Sequence, residues 1–201
     1  VHGGDIQVDA NLYSTASGAD ILLKGSGNIT VAASKSIVTD GSDLTLWSNS
    51  DGETIDGGYI NIANSVTLDS RTATDRTNSK TTEATGGGTI TLGGGTDLAT
   101  GFALESGTDQ IGGIVLGSSP DTGIAFYSGG GNLLLRGKST GGTVNESNGI
   151  VATGGFTLDA GVSGDISLIG EGGGASAKNS AGIYLGIGAD QTADSVIRTK
   201  D

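Results

Sequence analysis

Large apolar residues in this chain come in pairs that flank a single residue, and the pairs recur at fixed distances. Ile6, Val8, Ile21, Leu23 and Ile37 are each followed 23 positions later by Ile29, Val31, Leu44, Leu46 and Ile60. Further on the spacing becomes 33, linking Leu133 to Ile166, Leu135 to Leu168 and Ile150 to Ile183. The glycines Gly131, Gly137, Gly141 and Gly149 obey the same interval, with Gly164, Gly170, Gly174 and Gly182 as their counterparts. An antiparallel sandwich has no reason to keep such intervals. A chain that winds back to the same place on every turn does, because stacked coils need matching corners while the loops between them can lengthen.

The pairs themselves specify strands, since a strand sends alternate side chains to opposite faces. Fourteen pairs are present: Ile6/Val8, Ile21/Leu23, Ile29/Val31, Leu44/Leu46, Ile60/Ile62, Val66/Leu68, Ile90/Leu92, Phe102/Leu104, Ile114/Leu116, Ile124/Phe126, Leu133/Leu135, Phe156/Leu158, Ile166/Leu168 and Ile183/Leu185. The residues between them are often polar and β-branched, such as Thr30, Thr45, Thr67, Thr91 and Thr157, as an exposed strand face prefers. Clusters such as Asp56-Gly57-Gly58 and Gly129-Gly130-Gly131 supply the corners. No stretch of a dozen residues has a helical apolar period. The fold expected is all-β: a parallel β-solenoid, wound as a right-handed β-helix with about three short strands per coil, forming one repeat domain over residues 1–201. Residues 69–88 hold no large apolar side chain and read as a polar loop excursion carrying Arg71, Arg76 and Lys80.

Composition narrows the function. The chain has 39 Gly and one Pro, and neither Cys nor Met. Disulfides, thiolate metal sites and cysteine catalysis are therefore excluded, and His2 as the sole histidine leaves no Ser-His pair or multi-histidine metal site within the chain. The net charge of −12 repels nucleic acid and anionic membrane surfaces, and no apolar run is long enough to span a bilayer. The opening Val1-His2-Gly3-Gly4, together with apolar pairs that run close to both ends, reads as a segment of a longer protein whose coils continue or stack on another copy.

Gly58-Tyr59-Ile60-Asn61-Ile62, Gly86-Gly87-Gly88-Thr89-Ile90-Thr91-Leu92, Gly113-Ile114-Val115-Leu116-Gly117, Gly164-Asp165-Ile166-Ser167-Leu168 and Gly182-Ile183-Tyr184-Leu185-Gly186 resemble the repeats of filamentous haemagglutinin-like adhesins, large bacterial proteins exported by two-partner secretion. The resemblance implies a β-helical stalk outside the cell or on its surface, used for adhesion, aggregation or biofilm formation. Its partners would be glycans, proteins of host or neighbouring cells, or extracellular matrix. A filament or matrix subunit assembled end to end is the alternative.

No catalytic, cofactor-binding or metal-ligating residue is assigned. The acidic groups Asp40/Asp43 and Asp51/Glu53/Asp56 read as turn and capping residues, because the tandem glycine-rich nonapeptides of a calcium β-roll are missing and Gly93-Gly94-Gly95-Thr96-Asp97 stands alone. A polysaccharide-active β-helix enzyme is the lesser reading. It would need carboxylates or basic residues such as Arg136 and Arg198 to converge beside aromatic platforms, whereas Phe102, Phe126 and Phe156 fall on the inward phase. Trp47 reads as filling a solenoid corner rather than as a sugar platform. Asn28 and Asn145 satisfy the N-glycosylation acceptor pattern, with Asn145 the better placed in a polar turn. Thr72/Thr74 and Thr89/Thr91 have the spacing of an ice-binding ladder but do not recur at a constant interval.

Overall fold

The structure, a computed structural model, describes residues 2–53, 57–79, 83–105, 112–117, 123–140, 147–173, 180–186 and 194–200. Six coils follow one another. Coil 1 contains β1 (His2–Gly3), β2 (Ile6–Val8) and β3 (Leu12–Tyr13). Coil 2 contains β4 (Ile21–Gly25), β5 (Ile29–Val31) and β6 (Ser36–Val38). Coil 3 contains β7 (Leu44–Ser48), β8 (Ile60–Ile62) and β9 (Thr67–Asp69), and is followed by the short helix α1 (Ala73–Thr77). Coil 4 has β10 (Ile90–Gly94), β11 (Ala103–Glu105), β12 (Gly112–Leu116) and β13 (Ile124–Tyr127). Coil 5 has β14 (Leu133–Ser139), β15 (Asn148–Ala152) and β16 (Phe156–Val162), and coil 6 has β17 (Ile166–Glu171), β18 (Ile183–Leu185) and β19 (Val196–Lys200).

Successive coils place their strands on three parallel sheets. Sheet A runs β1-β4-β7-β10-β14-β17, with β11 pairing the second half of β14. Sheet B runs β2-β5-β8-β12-β15-β18, and sheet C runs β3-β6-β9-β13-β16-β19. The chain is thus a parallel β-solenoid with three strands per coil and one additional strand, β11, on sheet A. At about 4.8 Å per coil the rod rises about 29 Å.

Register turns the sequence pairs into continuous columns. Sheet B stacks Ile6, Ile29, Ile60, Ile114, Ile150 and Ile183, an isoleucine in every coil. Sheet A stacks Leu23, Leu46, Leu92, Leu135 and Leu168. Sheet C stacks Leu12, Ile37, Leu68, Phe126, Leu158 and Ile197. Most of these side chains are fully buried in one cluster, each stabilising the fold by about 1.5–3 kcal/mol through apolar burial. Ile37 pairs with Leu68 rather than leading to Ile60, which sits on Ile29. The interval of 23 is therefore lost at that step, because coil 3 is longer than coil 2.

Corners are tied by a second repeating device. The residue just before a strand uses its side-chain oxygen to accept the backbone N–H of its counterpart in the next coil. Asp5 accepts from Asn28 at 2.8 Å, and Asn28 from Tyr59 at 3.1 Å. Asp20 accepts from Asp43 at 3.0 Å, Asp43 from Thr89 at 2.7 Å, Asn11 from Ser36 at 2.9 Å and Asn132 from Asp165 at 2.9 Å. Each bond satisfies an amide that the turn would otherwise leave without a partner in the coil.

Two of the glycine pairs spaced by 33, Gly137/Gly170 and Gly149/Gly182, mark a constriction between sheets A and B. A Cβ on Gly137 would lie 2.2 Å from the Gly149 carbonyl oxygen, and one on Gly170 would lie 1.9 Å from that of Gly182. Backbone meets backbone there, and only glycine fits. Gly137 stacks directly on Gly170; Gly141 and Gly174 lie outside the described residues.

Candidate functional site

Two outward faces carry chemistry. On sheet C one outer column runs Val38, Asp69, Tyr127, Asp159 and Arg198. Arg71 turns back onto Asp69, donating from Nε at 3.0 Å and from Nη2 at 2.6 Å, and its guanidinium stacks 4.3 Å from the centre of the Tyr127 ring. Asp159 accepts from Arg198 Nε at 2.8 Å and from the Gly161 backbone at 2.8 Å. Burial alone would lower the Arg71 pKa, but the hydrogen bond and charge of Asp69, helped by Tyr127 and Asp159, outweigh it and raise the guanidinium above its ordinary value. Both carboxylates are buried and each is held by a guanidinium, so this face is built as an ionic clasp.

The clasp anchors the polar excursion after β9. Thr72 caps α1 by accepting the Asp75 amide at 3.1 Å, Asp40 accepts the Ala73 amide at 2.5 Å, and Arg76 donates to the carbonyls of Thr39 and Arg71. Ala84 is fully buried and its carbonyl accepts from Val162. The excursion is thus tied to sheet C at Arg71, Asp75 and Ala84, which are buried, while Ala73, Thr74 and Thr77–Ser79 are exposed. Lys80 lies outside the described residues.

The second face is a cleft on sheet A. After β10 the chain leaves the sheet at Gly95, which has φ +79°, circles through Thr96–Thr100 and returns at Gly101. Asp97 closes this loop, accepting from Ala99 at 3.0 Å, from the Thr100 hydroxyl at 3.0 Å and, through its carbonyl, from Gly101 at 2.7 Å. The chain then re-enters the same sheet as β11, side-stepped along β14 so that Leu104 lies beside Lys138. Opposite stands the segment after β7, where Asn49 (φ +48°) and Gly52 (φ +76°) turn the chain and Gly58 makes an antiparallel bridge to Leu104. Between the two walls lies a cleft of about 310 Å³, with Phe102, Leu104 and Lys138 among its lining residues and Asn49, Thr96, Asp97, Thr100 and Thr140 contributing polar groups. Lys138 pairs with Glu171 at 2.6 Å, with its ammonium 5.9 Å from the centre of the Phe102 ring.

Two sequence expectations, those for Phe102 and Trp47, are corrected by this geometry. Phe102 is half-buried on the outward phase, because β11 continues the alternation of β14 in which Arg136 and Lys138 point out; Phe126 and Phe156 are inward and buried. Trp47 stands mid-strand on the outer face of sheet A, not in a corner. The Lys24 ammonium lies 3.6 Å from its ring centre, and its Nε1 donates to the Gly95 carbonyl at 2.7 Å, pinning the base of the loop. Arg136 and Arg198 lie on different sheets and do not converge. Thr91 stacks between Thr45 and Leu134, so the threonine column is interrupted. Asn28 has its amide oxygen and its backbone engaged in the corner ladder, and Asn145 lies outside the described residues. Among the described residues no group of three His, Asp or Glu side chains is placed to hold a metal ion, and no helix is long and apolar enough to cross a membrane.

Asn49, Leu104, Lys138 and Asp159 were not singled out from the sequence. The one available signal was the glycine-bounded stretch 93–101 interrupting a strand pattern, which marks a bulge or excursion. Compared with known protein families, curated proteins and solved structures, the chain matches none.

Proposed function

We propose that the chain is a structural β-helical segment of a bacterial surface-displayed or secreted adhesin, whose work is to hold a stiff rod and present loops along it for attachment, aggregation or biofilm formation. The reading is supported by one observation above the rest. Ile60 and Ile114 remain in register although 54 residues separate them, so long insertions leave the rod without disturbing its columns. A scaffold that tolerates insertions in this way is suited to display. Right-handed winding is the hand that parallel crossovers favour. The test is attachment: bacteria displaying the chain are expected to adhere to glycan- or matrix-coated surfaces more than the same bacteria without it. Equal adhesion with and without the chain would count against it.

A second reading has its own observation. In coil 6 the column residues Ile183 and Ile197 are 38% and 47% exposed, whereas their counterparts in coils 2–5 are buried. A further coil stacked in register would cover them, and the filament reading takes that coil from a second copy. Sedimentation would then show chains growing with concentration, and a constant monomer mass would exclude it.

A further inference from the structure

We infer that the sheet A cleft is a binding site for a neutral saccharide, a proposal that rests on the adhesin reading and names the ligand its loops would take. Three observations converge. Phe102, an aromatic side chain placed on the outer face by the side-step of β11, lines the cleft and is half-buried, so it adds aromatic surface against which a pyranose can pack. Asn49, only 4% exposed, lines the same cleft, and its Oδ1 is buried without a hydrogen-bond partner. An amide acceptor left in that state is costly, and a side-chain rotation that brings it to the cleft would let a sugar hydroxyl satisfy it. Thr96 and Thr140 add hydroxyls that both donate and accept, and Thr100, whose hydroxyl donates to Asp97, adds an acceptor.

Charge decides the class of sugar. The chain carries −12 overall, Asp97 stands at the rim, and Lys138 is already neutralised by Glu171. An anionic glycan would be repelled by the protein's field and would find no uncommitted cation in the described cleft. A volume of about 310 Å³ accepts a sugar unit or two, at the small end of ligand sites. The loop walls are held independently of any ligand by the Trp47–Gly95 hydrogen bond at 2.7 Å and by the Gly58–Leu104 bridge, so the cleft is preformed.

The experiment is an NMR titration of the isotope-labelled chain with glucose, galactose, N-acetylglucosamine, lactose and maltose, with glucuronate as the anionic comparison. At least one neutral sugar is expected to give saturable shifts confined to residues 49–52, 95–104 and 138–140, with a Kd of roughly 1–10 mM for a single exposed site. Phe102→Ala should weaken binding roughly tenfold, and Asn49→Leu, which nearly keeps the shape and removes the acceptor, should also weaken it for the sugar that binds best. Amide spectra outside the cleft serve as the folding check, and Thr140→Ala is the substitute if either variant is misfolded. No saturable shift with any neutral sugar, glucuronate binding as tightly, or binding that Phe102→Ala leaves unchanged would each overturn the proposal. A cleft that fails to bind leaves the display reading standing, since cell attachment is measured separately.

Discussion

Replacing Arg71 by Ala tests whether the clasp on sheet C carries stability or merely decorates the surface. The Arg71 and Asp69 side chains are 10% and 5% exposed, so truncating the guanidinium leaves a carboxylate in a dry place with two of its strongest donors gone. What remains is the Arg71 backbone N–H at 3.0 Å and the more distant Arg76 guanidinium at 3.9 Å. Breaking a buried pair from one side costs about 3–5 kcal/mol; the surviving amide trims this, while loss of the stack on Tyr127 adds about 0.5–2 kcal/mol. We expect about 3–4 kcal/mol for Arg71→Ala. Because the damage is the stranded charge, Asp69→Leu combined with Arg71→Met should recover most of it. The comparison is Lys138 with Glu171, at the same 2.6 Å but 39% and 49% exposed, where a double-mutant cycle should give no more than about 1 kcal/mol. Urea unfolding followed by circular dichroism and by Trp47 fluorescence reads these values, with coincident transitions required before a single free energy is quoted. A cost below about 1 kcal/mol for Arg71→Ala, or strict additivity of the Asp69 and Arg71 truncations, would refute the reasoning.

Other outcomes follow from the same packing. Leu92→Ala, in the middle of the leucine column, should destabilise by about 2–5 kcal/mol in the same urea experiment. Gly137→Ala places a methyl 2.2 Å from the Gly149 carbonyl oxygen and should cost at least about 1–3 kcal/mol, whereas alanine at the open Gly4 should cost far less. Asp43→Ala removes the acceptor for the Thr89 amide at 2.7 Å and should cost about 1 kcal/mol, with faster amide exchange at Thr89. Arg71 has a folded pKa raised above its unfolded one, so its contribution is complete below the unfolded value and is lost only as pH climbs through the folded one. The difference between wild type and Arg71→Ala should therefore be the same at about pH 7 and pH 9.

Most of the rod was legible because burial on a solenoid alternates and repeats. All fourteen apolar pairs fall on strands, Val66 and Phe102 standing one residue ahead of theirs. The strands that escaped had no pair to show. β3 is two residues long, β6 has Ile37 as its one inward side chain, and in β19 Val196 and Ile197 are adjacent, which hides the phase. In β15 the inward partner two places after Ile150 is Ala152, too small to show as a large apolar pair. The cleft was hidden for a different reason. Phe102 and Leu104 look like any inward pair, and only the side-step of β11 along β14 turns that pair outward, where Gly58 bridges to Leu104. Pair spacing predicts alternation within a strand but not which face a displaced strand presents. Asp159 likewise meets Arg198 only through stacking across coils, which no short window contains, whereas Asp69 and Arg71 stand two residues apart.

The in-register parallel column is tested most directly by disulfide trapping, which the absence of native cysteine makes unambiguous. Thr45 and Thr91 face outward from β7 and β10 as register partners, at a Cα separation of about 4.8 Å that suits a disulfide, whereas Thr45 and Gly93 would be about 8 Å apart and beyond its reach. Under mild oxidation, Thr45→Cys with Thr91→Cys should close quantitatively in the folded monomer while Thr45→Cys with Gly93→Cys stays reduced. The reverse pattern, or closure of neither, would contradict the solenoid register.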